Sequence, residues 1–87
     1  MDLTEKEQKV LKALVENAHE IGDSQREFII EDIINSIGMS FSSVKGVMSS
    51  LNKKRYIDCF NGECYFDGMI RGEAEEWYKK EYLTYSS

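Results

Sequence analysis

The feature that most constrains this chain is a change of hydrophobic period at Tyr56. Upstream, apolar residues recur at helical spacing in three separate stretches. Downstream, residues 56–60 and 63–67 alternate on either side of Asn61-Gly62. Asn-Gly between two alternating runs is a strong signal for a two-residue hairpin, because both central residues of a type I′ turn need positive φ. That turn sets a register: Phe60 opposite Glu63, Cys59 opposite Cys64, Asp58 opposite Tyr65, Ile57 opposite Phe66. Ile57, Cys59, Cys64 and Phe66 then share an apolar, core-directed face. Asp58, Phe60, Glu63 and Tyr65 share the other.

The helices can be placed from their caps and stripes. Thr4-Glu5-Lys6-Glu7 has the spacing of a capping box, and Val10, Leu11, Leu14, Val15 and Ala18 follow at helical intervals, giving a first helix over about 4–19. Residues 20–27 form a polar connection in which Ser24-Gln25-Arg26-Glu27 is a second capping-box candidate. Ile30, Ile33, Ile34 and Ile37 form the apolar face of a second helix ending at Gly38, a natural left-handed cap. The start of this helix is open, since residues 27–30 read equally as a short strand. Ser40 can cap a third helix with Phe41, Val44, Val47, Met48 and Leu51 as its buried stripe. Gly68 and Gly72 flank a turn before a last helix over about 72–83.

With 87 residues this is one domain, too small to enclose a deep active site. A content of 41% hydrophobic and 31% charged residues is that of a globular chain. No apolar run is long enough to span a membrane, and no basic-then-apolar leader starts the chain, so no membrane partner is expected. Two cysteines, Cys59 and Cys64, are too few for a secreted disulfide scaffold, which favours a reducing cytoplasm. The hairpin register would permit a cross-strand disulfide between them, though two small buried apolar groups is the plainer reading. Four residues between the cysteines and His19 as the single histidine do not make a zinc site. His19 is expected to meet the terminal carbonyls of the first helix. No nucleophile-base pair or phosphate-binding glycine loop is visible, so no enzyme, cofactor, metal or small-molecule ligand is expected.

The order helix, helix, helix, hairpin, helix describes a mainly α fold with a small β-hairpin (α+β), a winged helix-turn-helix. Its three-helix core holds the helix-turn-helix at about 28–54, followed by a wing at 56–67 and a C-terminal helix. The stretch Ile33-Ile34-Asn35-Ser36-Ile37-Gly38-Met39-Ser40-Phe41-Ser42-Ser43-Val44 resembles the pattern of helix-turn-helix regulators. Leu51-Asn52-Lys53-Lys54-Arg55-Tyr56-Ile57 resembles their exit from the recognition helix into the wing, and residues 3–14 are similar to the first helix of MarR-type winged helices. Arg55 stands where that family usually has glycine, so it must turn left-handed or the helix must end another way. The wing tip carries Glu63 where the family usually has a base.

The charge pattern fits that resemblance. The total is −5, a value that would repel a phosphate backbone. By segment, residues 1–37 hold nine acids and four bases, and residues 58–87 hold seven acids and three bases. Between them lie Lys45, Lys53, Lys54 and Arg55 with no acid; the acid-free run spans residues 33–57. A helix entering the major groove lies between rows of phosphates, which disfavours carboxylates, and short side chains let its backbone approach the bases. Ser40, Ser42, Ser43, Gly46 and Ser49 are therefore expected at bases or phosphates, and the four cations on the backbone of double-stranded DNA. The expected function is a cytoplasmic, sequence-specific DNA-binding transcriptional regulator. A non-enzymatic protein-interaction module on the same fold is the alternative. Trp77, Tyr78, Tyr82 and Tyr85 form an aromatic stripe larger than one short helix needs, which suggests a homodimer interface. Glu75, Glu76 and Glu81 read as a solvated face.

Overall fold

The computed structural model of the protein describes residues 3–21, 27–59 and 67–83. In chain order these form α1 (Glu5–Ile21), β1 (Glu27–Ile29), α2 (Ile30–Ile37), α3 (Phe41–Lys53), β2 (Ile57–Cys59), β3 (Asp67–Ile70) and α4 (Gly72–Tyr78), which continues as a π-helical turn over Lys79–Leu83. The architecture is mainly helical with one small antiparallel sheet.

α1 begins at its capping box. The Thr4 amide donates to Glu7 Oε1 at 2.9 Å and the Glu7 amide donates to Thr4 Oγ1 at 3.1 Å, satisfying two amides that have no partner inside the helix. Its stripe of Val10, Leu11, Leu14, Val15 and Ala18 is fully buried and forms the centre of the core. α2, α3, α4, β1 and β3 all pack on it.

Residues 27–29 are a strand. Phe28 is buried while Ile29 is 40% exposed, the alternation of a pleated chain rather than a helix turn. This overturns the capping box at 24–27, because Glu27 pairs in a ladder three residues before α2 begins. The buried Asn17 of α1 accepts the Ile29 amide at 2.7 Å on its Oδ1. A polar residue in the core stripe thus satisfies a backbone donor that would otherwise be desolvated.

The sheet order is β1-β3-β2, antiparallel throughout. β3 pairs Met69 with Glu27 and Gly68 with Phe28 on one side, and Ile70 with Ile57 and Gly68 with Cys59 on the other. The tight-hairpin register is therefore corrected: Ile57 faces Ile70 instead of Phe66, Asp58 faces Met69 instead of Tyr65, and Cys59 faces Gly68 instead of Cys64. Gly68 lies inside a strand and Gly72 opens α4, so they do not flank a turn. β3 reaches Ile70, beyond the limit at 67 expected for the second strand of the hairpin. A strand bonded along both edges makes more ladder bonds than a free hairpin arm, and β1 supplies the second edge. The Asn61-Gly62 turn and Cys64 lie outside the described residues.

Candidate nucleic-acid interface

α3 starts on Ser40, whose hydroxyl accepts the Ser43 amide at 3.2 Å and donates to Ser43 Oγ at 3.0 Å. Before it, Gly38 closes α2 at φ 76. α3 ends in a two-bond turn: the Tyr56 amide donates to the Leu51 carbonyl at 3.0 Å and the Arg55 amide to that of Asn52 at 3.1 Å. This closure requires a left-handed residue between helix and strand, and Arg55 supplies it at φ 68.

Between these caps, Val44, Met48 and Leu51 are buried and Val47 is half-buried. Phe41, expected in the same stripe, is instead 45% exposed at the first turn. On the opposite side of the helix Ser42, Gly46, Ser49 and Lys53 form one exposed stripe at helical spacing, flanked by Lys45 and Ser43. Ser40, Lys54 and Arg55 are exposed as well. A Cβ added at Gly46 would meet no atom within 4 Å, so this position is open to solvent.

Three further residues join this face from outside the expected set. A shallow cleft of about 320 Å³ separates α3 from the start of α1, lined by Thr4, Lys6, Glu7, Ser42, Ser43, Gly46, Val47 and Ser50. Lys6 brings another cation to the rim. Glu7, with its side chain 6% exposed, accepts the Lys54 ammonium at 2.8 Å on Oε1 and the Ser50 hydroxyl on Oε2. The Lys54 ammonium, then the Ser50 hydroxyl, hold the Glu7 carboxyl down from 4.5 to about 2, with burial pulling the other way. Lys54, expected on DNA phosphates, has its side chain 35% exposed and gives its ammonium to Glu7. Glu7 and Lys54 are separated by 47 residues and Glu7 and Ser50 by 43, so no local pattern could have paired them.

Two residues of the aromatic stripe, Tyr78 and Tyr82, meet α1. The Tyr78 hydroxyl donates to Glu16 Oε2 at 2.9 Å, and its ring meets His19 edge-on at 5.9 Å. Lys12 Nζ lies 5.1 Å over the Tyr82 ring, which also touches Tyr78 at 5.1 Å and Trp77 at 5.7 Å. His19, expected at the terminal carbonyls of α1, faces α4, with Nε2 3.8 Å from Glu75. Tyr85 lies outside the described residues.

Among the described residues no three of His, Cys, Asp and Glu come together as a metal site would need, and no helix is long and apolar enough to cross a membrane. No protein-family model matches the chain, nor does any curated protein or any solved structure.

Proposed function

We propose that this protein is a winged helix-turn-helix and a cytoplasmic, non-enzymatic regulator of transcription, with α3 entering the major groove of double-stranded DNA. One observation carries the reading. The exposed stripe of α3 is built of serine, glycine and cations, and Glu7, the one carboxylate lining the cleft beside it among the described residues, is neutralised internally by Lys54. An acidic protein can approach phosphates along such a face, where attraction is local and repulsion comes from more distant flanks screened by salt. Ser42, Gly46 and Ser49 face the bases, Ser43 and Lys6 lie toward one strand, and Lys45, Lys53 and Arg55 lie toward the backbone. Ser40 and Lys54 act within the protein, as cap and counter-ion. The order of the sheet, with β2 and β3 following α3 directly, supports the winged reading.

The exposed phenyl ring of Phe41 favours the second reading, a protein-interaction module, because an apolar ring at a helix start also suits a protein partner. Duplex binding measured against salt separates the two. Contacts by Lys6, Lys45, Lys53 and Arg55 give a log–log slope of roughly −3 to −4. Lys53→Glu lowers affinity and flattens that slope; Lys54→Glu is a poor test, because it sets a second carboxylate against Glu7. Absence of duplex binding at low salt removes the DNA reading. A homodimer, reading half-sites about one helical turn apart, completes the proposal.

A further inference from the structure

A second cleft, of about 390 Å³, lies between α4 and the turn that ends α3, lined by Tyr56, Glu73, Glu76, Trp77, Lys80 and Glu81. Tyr56 is only 5% exposed, yet its hydroxyl bonds to no group among the described residues. Among the described residues no side-chain polar atom is both sealed from solvent and unpartnered, so this hydroxyl keeps some contact with solvent, and Tyr56 is one of the residues that line the cleft. A tyrosine hydroxyl that keeps contact with solvent and has no protein partner can exchange its water for a polar atom of a ligand. Beside it stands the half-buried Trp77, held in a T-shaped contact with Tyr82. Three carboxylates ring the cleft. Arg71 approaches Glu73 at 3.7 Å, and Lys80 is the one cation among the described lining residues, so the rim stays net negative.

We propose that this cleft binds a small organic cation, an alkylammonium or quaternary ammonium carrying an oxygen that meets the Tyr56 hydroxyl. The aromatic wall suits the apolar body and the spread positive charge of such a group, which gains from an indole ring as a neutral ligand does not. The carboxylate rim adds attraction and excludes anions. The volume is at the small end of ligand pockets, and the described lining residues are Tyr56 together with residues of α4 and its continuing turn, which suits a small molecule better than an extended peptide. Tyr56 also gives its amide to Leu51 at 3.0 Å and takes the Arg71 amide on its carbonyl at 2.9 Å. The seat is therefore shared between the end of α3 and the start of α4. The proposal stands whether or not α3 binds DNA.

Trp77 is the one tryptophan of the chain, so its emission reports on this cleft. Choline changes that emission saturably with Kd of about 1 mM or tighter, while 3,3-dimethylbutan-1-ol, the same shape without the charge, does not. Glu76→Gln with Glu81→Gln weakens choline about tenfold, and Tyr56→Phe weakens it a few-fold, with circular dichroism unchanged. The proposal is overturned by no saturable change up to about 50 mM choline. An equal response to the neutral alcohol, or an unchanged affinity in the double glutamine variant, also overturns it. A trilysine peptide that saturates more tightly than choline would assign the cleft to a basic protein segment and overturn it as well.

Discussion

Glu7 shows how one side chain can serve two elements. It completes the cap of α1 and, through Lys54 and Ser50, ties that cap to the last turns of α3. Its carboxyl titrates at about 2 in the folded protein against 4.5 ordinarily, so the stabilisation is fully present above pH 4.5 and is lost as pH falls toward 2. Lys54 is partly exposed, which screens the pair, and the contribution is about 1–3 kcal/mol. Glu7→Gln lowers stability by that amount at pH 7, and urea titrations show the gap to wild type closing near pH 2. Arg55 and Gly38 make a second pair of cases. Both sit at positive φ, but only Gly38 is free of the cost that a Cβ imposes there. Nothing crowds a Cβ at Gly38, so Gly38→Ala costs about 1–2 kcal/mol by backbone conformation alone. Arg55→Gly relieves the same strain and raises stability by about 0.5–1 kcal/mol, after allowing for glycine's freer unfolded chain. If Arg55 lies on phosphate, the same variant reduces the salt slope of duplex binding by about one. Stability and binding then move in opposite directions, which a purely structural arginine does not produce.

At the scale of elements, the strand between α1 and α2 decides the sheet. β1 is three residues long and fixes itself through Phe28 in the core, Asn17 on one edge and β3 on the other. Phe28→Ala costs about 3–5 kcal/mol in urea denaturation, a cost typical of emptying a core phenylalanine site. The register must suit this strand as well as β2, because β3 satisfies two neighbours at once. Cross-strand NOEs check it: they join Asp58 to Met69 and Ile57 to Ile70. The C-terminal element shows the same dependence on context. Four aromatics on one short helix suggest a surplus, yet Tyr78 and Tyr82 each have partners on α1. The π-helical turn after Tyr78 accompanies the contact that brings Tyr82 against both Tyr78 and Trp77.

For the whole molecule, the distribution of charge matters more than its total. A net −5 is set around one acid-free segment, residues 33–57, and the part of it that forms α3 presents an exposed face of serine, glycine and lysine. The dimer half of the proposal is weaker in its aromatic argument than the stripe suggested, since two of its four rings are used within the protomer. Light scattering behind a sizing column tests it directly: a dimer mass at tens of micromolar supports half-site reading, and a monomer mass removes it.

The sequence by itself determined the cores of the helices, the caps at Thr4, Gly38 and Ser40, and the surface chemistry of α3. These depend on interactions within about four residues, where Thr4 with Glu7, Ser40 with Ser43, and the spacing of Val44, Met48 and Leu51 carry their own signal. The left-handed choice at Arg55 was also legible, as one of two ways to leave α3. Only the tertiary structure decided the strand register, the pairing of Lys54 with Glu7, the contacts of Tyr78 and Tyr82 with α1, and the cleft at Tyr56. Each joins residues far apart in the chain, and their partners are selected by which apolar faces must be buried together. Local pattern holds no record of that choice.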